Sequence, residues 1–399
     1  ITSAKREGLP EELRGDVPVV EFTLPGREAL KVVAEAARRH HPGDDPAVLA
    51  DALAGLTALQ ARNALAMAVI ESEGGAVTAQ GVLDVKARLL ASAVPGLEIV
   101  RATETLDSVA GLDALVAWIR TLRGQFEDPE GARAFGLPAP KGVLLVGVPG
   151  GGKSLSAKAL ASGLGLTLLR LDLGAVMGSL VGESEGKMRR ALQVADAMAP
   201  CILWCDECEK AVSQGQVGGG GDSGTASRVI GTLLTWLSEK TSPVFVVATA
   251  NKPELLPPEF LRKGRFDEVF AVDLPDRVGR RAIFEVHLKK RGRALPAHAI
   301  DRLAERTEGF VGAEIEACIV AALRRCFLEG RRDLTLDDVG NEIQVTVPLS
   351  MAAASEVERM REGARGRARN AAEPAAAQGR PGDALGFWRS HPFQASWRT

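Results

Sequence analysis

One short stretch of the chain has the residue pattern of a phosphate-binding loop. The sequence KGVLLVGVPGGGKS begins at Lys141 and contains the spacing G-x4-G-K-S. Glycines let backbone N–H groups converge on phosphate oxygens without a Cβ clash, and the start of a helix adds positive potential. In this pattern the lysine, Lys153, binds the β- and γ-phosphates, and the hydroxyl of Ser154 binds Mg2+. The sequence therefore predicts an ATP–Mg2+ site whose cofactor-binding residues include Gly147, Val148, Pro149, Gly150, Gly151, Gly152, Lys153, Ser154 and Leu155.

A second stretch, CILWCDECEK, allows two interpretations. Its cysteines, Cys201, Cys205 and Cys208, have the C-x3-C-x2-C spacing of an iron–sulfur ligand set. Its other residues form an apolar strand that ends in Asp206 and Glu207, the pair that orients Mg2+ and polarises the attacking water in ATPases. Two strand residues four apart lie about 13 Å from each other, whereas cluster ligands must meet at one point. We therefore expect Asp206 to orient Mg2+, Glu207 to polarise water, and the cysteines to be small core residues.

Five apolar runs alternate with helical segments between about residues 141 and 275, a pattern typical of a parallel sheet covered by helices. The runs are GVLLV, LTLLRLDL, PCILW, PVFVVATAN and EVFAVDL. Asp206 and Glu207 follow the third run, so we expect them at the carboxyl edge of the sheet, where α/β proteins bind ligands. Helical periodicity covers residues 276 to about 345 and, in the N-terminal part, Glu28–Arg39, Ala47–Glu71 and Thr78–Ser92.

Composition narrows the classes of partner. The 399 residues are 46% apolar and carry a formal charge of −2, so no global attraction to nucleic acid or anionic membranes is expected. No apolar run approaches the roughly 20 residues of a membrane span, so we expect no membrane partner. The 5 cysteines do not form a disulfide pattern, which favours a cytoplasmic location. Because the chain begins at Ile1 rather than Met, we expect it to be part of a longer protein.

With a phosphate loop, a strand ending in DE, and the segments VVATAN and LRKGRFD, the chain resembles the AAA ATPase family. The match runs from about Leu106 to Val347. The resemblance implies that Asn251 occupies the polar sensor position, where it positions the attacking water. It also implies that Arg262 and Arg265 match the two arginines that reach the γ-phosphate bound to a neighbouring subunit.

The same resemblance implies an adenine site and a lid. TLDSVAGLDAL resembles the family's adenine-contacting segment, which places Val109–Gly111 nearest the base, with Val109 and Gly111 as the expected contacts. EGFVGAEIEA resembles the small-domain helix that closes over the nucleotide, with Gly312 and Ala313 where some other AAA proteins carry a sensing arginine. The expected fold class is α/β: an AAA module with a parallel P-loop sheet domain and a small helical lid domain, preceded by a mainly helical N-terminal region.

Within the AAA proteins, the chain is most similar to the Ycf-type ATPases of algal plastids, cyanobacteria and other bacteria. The similarity lies in LLRLDLGAVMGSLVGESEGKMR, DSGTASRVIGTLLTWLSEKTSPVFVVATAN and LPPEFLRKGRFDEVF. It implies a ring-forming homo-oligomer, expected to be a hexamer. Threading AAA rings carry aromatic–apolar–Gly in the loop after the second strand, but here the residues are Leu180, Val181 and Gly182. Leu180 and Val181 remain the expected contacts with a protein substrate, although they offer less area than Tyr or Phe.

An internal comparison suggests a second, degenerate module. ITSAKREGLPEEL parallels ATANKPELLPPEF, VVEFTLP parallels EVFAVDLP, and GLTALQARNALAMAV parallels GFVGAEIEACIVAAL. The alternative is coincidence between two Ala-rich helical stretches. The predicted organisation is a helical remnant of an AAA-like module at 1–75, a linker and helix at 76–105, the large nucleotide-binding domain at 106–275, the lid at 276–349, and a C-terminal helix and flexible tail at 350–399.

Three functions are compatible with these residues. The first is Mg2+-dependent ATP hydrolysis that remodels or regulates a protein partner. The second is a nucleotide-gated scaffold with slow turnover, since the pore aromatic is missing. The third is a nucleic-acid-directed ATPase, supported only by a basic stripe whose alternative is a solvated helix face. The stripe consists of Arg359, Arg361, Arg365, Arg367 and Arg369.

Overall fold

A computed structural model describes residues 25–72, 74–91, 94–177, 183–211, 223–262, 264–330 and 332–372. The predicted substrate contacts Leu180 and Val181 and the first parts of the internal repeat, residues 1–24, lie outside the described residues. The chain divides into two compact units, with the division between Leu90 and Ala91.

The described part of the N-terminal unit is helical. Its helices are α1 (Arg27–Arg38), α2 (Pro46–Leu53), α3 (Ala58–Glu71) and α4 (Ala79–Ala91). The predicted helix from Ala47 to Glu71 is interrupted between α2 and α3, where Gly55 has a φ of 81° and Thr57 forms a capping box with Gln60. Helix pairing here buries an apolar core that includes Leu30, Leu53, Leu65, Val82 and Val85.

Helix α4 falls in the segment predicted as a linker and helix, residues 76–105, but it belongs to this core. Val82 and Val85 on α4 are buried against the other helices, so the segment contributes packing as well as connection. Within the described residues, no single helix is both long and apolar enough to cross a membrane. Helices α2 and α3 reach that length and composition only as a pair that bends by 118°.

The second unit is built on a seven-stranded sheet in the order β1-β3-β4-β5-β2-β6-β7. Its strands are β1 (Leu97–Val100), β2 (Gly142–Gly147), β3 (Thr167–Leu171), β4 (Cys201–Cys205), β5 (Val244–Ala250), β6 (Glu268–Val272) and β7 (Arg369–Asn370). All neighbouring pairs are parallel except β1 with β3. The five predicted apolar runs correspond to β2 to β6, and β2, β4 and β5 are buried along their whole length, as expected of central strands covered on both faces.

Helices cover this sheet. They are α5 (Asp113–Glu127), α6 (Pro129–Ala134), α7 (Lys153–Leu164), α8 (Leu173–Met177), α9 (Glu183–Ala197) and α10 (Ser223–Glu239). One face forms a core in which Leu115, Ile119 and Leu160 pack with Phe245 and Phe270 of the strands. This packing fixes the strand ends from which the polar residues of the site project.

A separate small helical domain follows the sheet. It contains α11 (Arg277–Lys290), α12 (Ala297–Arg306), α13 (Gly312–Leu328) and α14 (Leu336–Val345). Its own core includes Phe284, Leu303, Ile315 and Ile319. The α/β class, the parallel sheet domain, the lid and the helical N-terminal region are therefore confirmed.

The chain then returns to the sheet through α15 (Leu349–Ala352), α16 (Ala354–Ala364) and β7. Arg361 donates to both carboxylate oxygens of Asp273 at 2.9 and 3.1 Å, and Arg369 lies over the ring of Phe270. The backbone oxygen of Ala371 accepts from the N–H groups of Ala114 and Leu115. Two arginines of the predicted basic stripe thus make contacts within the chain, and α16 and β7 pack on the sheet domain.

Candidate functional site

The phosphate loop connects the end of β2 to the start of α7 and is shaped by its glycines. A Cβ on Gly147 would lie 2.0 Å from the carbonyl oxygen of Val272, so no other residue fits there without displacing β6. Gly150 and Gly152 have φ values of 75° and 98°, which disfavour residues with a side chain. The loop therefore keeps its backbone N–H groups free of side-chain cover at the N-terminus of a helix.

Lys153 lies at the floor of this loop and is 6% exposed. Its ammonium group donates to the carbonyl oxygens of Gly147 at 2.8 Å and Val148 at 2.7 Å. Burial lowers the pKa of Lys153 to about 8, although the carboxylates of Glu209, Asp206 and Glu207 act in the opposite direction. An anionic phosphate at the loop would favour the charged form of this lysine.

Asp206 follows β4 and lies beside the start of α7. Its Oδ1 accepts from the hydroxyl of Thr249 at 2.7 Å and from the hydroxyl of Ser154 at 3.3 Å. The structure therefore brings together the two residues predicted to hold the metal. A hydroxyl and a carboxylate are oxygen ligands of the kind that Mg2+ prefers, so these residues fit that cation.

Glu207 is held through its backbone N–H and through both carboxylate oxygens. Its φ of 51° is in the left-handed region, which costs a residue with a side chain about 1–2 kcal/mol. The N–H of Glu207 donates to the hydroxyl of Thr249 at 2.9 Å, which stabilises this turn. Its Oε1 accepts from the side-chain amide of Asn251 at 2.9 Å, and its Oε2 pairs with Lys210. The predicted pair of Glu207 and Asn251 is therefore in direct contact.

These groups line a cavity of about 740 Å3 between the carboxyl edge of the sheet and the lid. The N–H of Ala313 at the start of α13 donates to the carbonyl oxygen of Gly150 at 3.2 Å, so the lid contacts the loop. The predicted site residues that line the cavity are Pro149, Gly150, Gly151, Gly152, Lys153, Ser154, Leu155, Asp206, Glu207, Asn251, Gly312 and Ala313.

Four predicted cofactor-binding residues do not line it. Val109 is buried in the core, whereas Ala110, which lies within the predicted range Val109–Gly111, and its neighbour Ser108 line the cavity. Gly111 has a φ of 74°, and a Cβ there would lie 3.3 Å from the Cα of Gly279, so this glycine permits close packing against α11. Gly147 and Val148 contribute the carbonyl oxygens that hold Lys153, as described above.

Several cavity residues were not predicted from the sequence. Thr249 contacts both Asp206 and Glu207 directly. It is a polar residue within the otherwise apolar run VFVVATA. The others lie on the segment before α5 or on the lid, and none of them was predicted individually, although some lie within the two segments that resemble the adenine site and the lid helix. They are Thr103, Glu104, Thr105, Asp107, Ser108, Ile283, Val286, His287, Lys289, Lys290 and Glu316, whereas Ala110 lies within the predicted range Val109–Gly111.

Arg262 and Arg265 lie outside this cavity. They follow a short 3-10 helix, Pro258–Leu261, and the side chain of Arg262 is exposed. The guanidinium of Arg265 donates to the carbonyl oxygen of Glu259 at 2.7 Å. Among the described residues that line the cavity there are lysines but no arginine.

The three cysteines of CILWCDECEK are buried. Cys201 and Cys205 stand at the two ends of β4, and the thiol of Cys208 donates to the carbonyl oxygen of Cys205 at 3.4 Å. The contact with Cys205 and burial raise the pKa of Cys208 well above its usual value, so this thiol stays protonated. Over the described ranges, no group of three or more His, Cys, Asp or Glu could hold a metal ion.

Comparison with known proteins identifies both parts of this second unit. Residues 143–274 match "ATPase family associated with various cellular activities (AAA)", and residues 299–340 match "AAA+ lid domain". The "Uncharacterized AAA domain-containing protein ycf46" of Guillardia theta is 38% identical over 359 residues, which is 89% of this chain and 70% of that protein.

Other relatives match shorter parts. The protein of the same description from Pyropia yezoensis is 48% identical over 265 residues, which is 66% of this chain and 53% of that protein. The "ATP-dependent zinc metalloprotease FtsH 1" of Symbiobacterium thermophilum is 34% identical over 235 residues, which is 58% of this chain and 39% of that protein. The chain thus spans between about half and about 70% of the Ycf46 relatives described here.

Proposed function

Because the chain belongs to the AAA family that includes the Ycf46 proteins, we propose that it binds ATP with Mg2+ and hydrolyses it. In this proposal water attacks the γ-phosphorus, the bond to the β–γ bridging oxygen breaks, and ADP and inorganic phosphate leave. Lys153 binds the phosphates, and Ser154 and Asp206 hold Mg2+, which neutralises charge on the phosphate oxygens. Glu207 polarises the water, and Asn251 helps to position it.

The observation that carries this proposal is the contact between Glu207 and Asn251 at the edge of a cavity that Lys153 and Asp206 also line. Each carboxylate oxygen has about two acceptor directions, so Glu207 can bind a water molecule while Asn251 and Lys210 stay in place. A protein that only bound nucleotide would not need this carboxylate to be fixed beside a polar amide. The geometry therefore favours hydrolysis over a slow nucleotide-gated scaffold.

We also propose that the active form is a ring-forming homo-oligomer, with six copies as the expected number. Arg262 and Arg265 lie away from the chain's own cavity, as arginines that act on a neighbouring subunit's ATP must. Such an assembly would use ATP to remodel a protein partner in the cytoplasm. Relatives named as ATP-dependent proteases support a protein partner, and five free, buried cysteines support a reducing compartment.

The proposal is tested by separating nucleotide binding from turnover. Lys153→Ala should abolish ATP binding, because this ammonium meets the phosphates in the ground state. Glu207→Gln should retain ATP binding and block turnover, because this carboxylate acts only on the water. Titration calorimetry and phosphate release measure the two effects. Equal ATP affinity in Lys153→Ala and wild type, or full turnover in Glu207→Gln, would contradict the assignment.

A further inference from the structure

Glu209 is a buried carboxylate to which the proposed reaction assigns no role. It lies three residues after Asp206, on the helical turn 208–211, and it is 4% exposed. It does not line the cavity. Burial raises the pKa of this carboxyl, with the charge of Glu207 acting in the same direction, so the site is costly for a carboxylate. A buried acid in such a position needs a compensating interaction.

That interaction is with the backbone of Asn251. The Oε1 of Glu209 accepts from the N–H of Asn251 at 2.9 Å, whereas its Oε2 has no hydrogen-bond partner among the described residues. Asn251 is the first residue after β5, so its N–H lies beyond the paired part of the strand. The carboxylate of Glu209 thus binds the backbone N–H of Asn251, just beyond the last residue that the sheet holds in β5.

The same residue carries the amide that contacts Glu207. The side-chain nitrogen of Asn251 donates to Oε1 of Glu207 at 2.9 Å, so a continuous path of hydrogen bonds joins Glu209 to Glu207 through Asn251. Asn251 is therefore held at both its backbone and its side chain by acceptor oxygens of these two residues.

We propose that Glu209 is a positioning residue for water activation, acting through Asn251. The inference rests on the proposed hydrolysis and deepens it. Without the carboxylate, the backbone at residue 251 loses its anchor and the amide no longer meets Glu207 at a fixed distance. A misplacement of about 1 Å can cost about 100-fold in rate.

Three substitutions separate this role from simple packing. Glu209→Ala removes the anchor and should lower the rate of hydrolysis by about 10- to 100-fold. Because the charge of Glu209 also acts on Lys153, the change in ATP affinity should be the same in Glu209→Ala and Glu209→Gln. Glu209→Gln keeps an acceptor oxygen and should retain activity to within about threefold. Cys208→Ser, a change at the adjacent buried position, is the control and should match wild type.

The decisive experiment is a double-mutant cycle with Asn251→Ala, read by single-turnover hydrolysis of MgATP by the full chain. If Glu209 acts through Asn251, the double variant should be no slower than Asn251→Ala alone. Multiplicative losses from the two changes, or a loss in Glu209→Gln as large as that in Glu209→Ala, would overturn the inference. ATP affinity and melting temperature are measured for each variant alongside its rate. If Glu209→Ala does not fold, Glu209→Asp replaces it in the cycle.

Failure of the proposed function would look different. It would show as no hydrolysis by wild type, or as full turnover by Glu207→Gln. The positioning role fails on its own if wild type hydrolyses ATP, Glu207→Gln does not, and Glu209→Ala keeps the wild-type rate.

Discussion

The proposed water-activating pair, Glu207 and Asn251, and the arginine segment, Arg262 and Arg265, belong to the same domain but differ in how they are held. Glu207 and Asn251 are partly buried and contact each other at 2.9 Å. Arg262 is exposed, and the guanidinium of Arg265 donates to the carbonyl oxygen of Glu259. Neither arginine lines the cavity. The chain alone therefore organises the groups that are proposed to bind phosphate and activate water. Among the described residues, no arginine lines the cavity.

The largest effect is expected from removing both arginines. An arginine finger supplied by a neighbour contributes about 10³–10⁵ in rate, or roughly 4–7 kcal/mol of barrier. Arg262→Ala/Arg265→Ala should lose turnover by that factor and retain ATP binding, because neither residue lines the cavity of its own chain. Phosphate release and calorimetry measure the two effects. Arg62→Ala, an exposed arginine on α3, is the control, and full activity in the double variant would contradict the comparison.

A smaller effect is expected at Thr249, whose hydroxyl contacts both Asp206 and the backbone of Glu207. Thr249→Val removes the hydroxyl that donates to Asp206 and accepts from the N–H of Glu207. Asp206 and the backbone of Glu207 then lose the group that holds them together, so turnover should fall by about 10- to 100-fold and require more Mg2+. Thr249→Ser keeps the hydroxyl and should restore most activity. Turnover measured against Mg2+ concentration tests whether the hydroxyl of Thr249 supports Asp206. An unchanged Mg2+ requirement in Thr249→Val would count against this role.

The smallest effect is a pH dependence of ATP binding. Lys153 has a pKa of about 8 without nucleotide, lowered from 10.5 by burial. Below pH 8 its ammonium is already charged, whereas above pH 8 binding must be accompanied by proton uptake. ATP affinity should therefore fall as the pH rises above 8, by at most about tenfold per unit.

Calorimetry on Glu207→Gln protein, in buffers of different ionisation enthalpy, measures this uptake. Lys153→Arg in the same background keeps a permanent charge and should bind, if at all, without the dependence. Constant affinity from pH 7 to about 9.5 would show that Lys153 stays charged in the free protein.

Residues fixed by strand–loop–helix geometry were predictable from the sequence. Once GVLLV and CILW were assigned to strands of one parallel sheet, the phosphate loop and Asp206 were expected at the same carboxyl edge of that sheet. Thr249 could have been found, because a hydroxyl stands within the apolar run VFVVATA. Its partner could not, because the contact with Asp206 depends on the register between β4 and β5.

Residues positioned by tertiary packing were not predictable. Ile283, Val286 and His287 face the cavity only because the lid places α11 over it, and helical periodicity alone does not specify that direction. Within the predicted range Val109–Gly111, Ala110 lines the cavity, whereas Val109 packs in the core and Gly111 packs against α11. Strand β7 was missed because two residues, Arg369 and Asn370, carry no strand pattern and pair with β6 through the return of the chain.

The need for a second copy is the central claim, and specific activity against protein concentration tests it most directly. Dilute protein should bind ATP and hydrolyse it very slowly, and turnover per subunit should rise steeply as the concentration increases. At a concentration where wild type is active, Arg265→Ala mixed with Lys153→Ala should regain part of the activity that each lacks, because some neighbouring pairs then combine an intact cavity with an intact arginine. Turnover per subunit that is the same from dilute to concentrated protein, with no gain on mixing, would contradict the account.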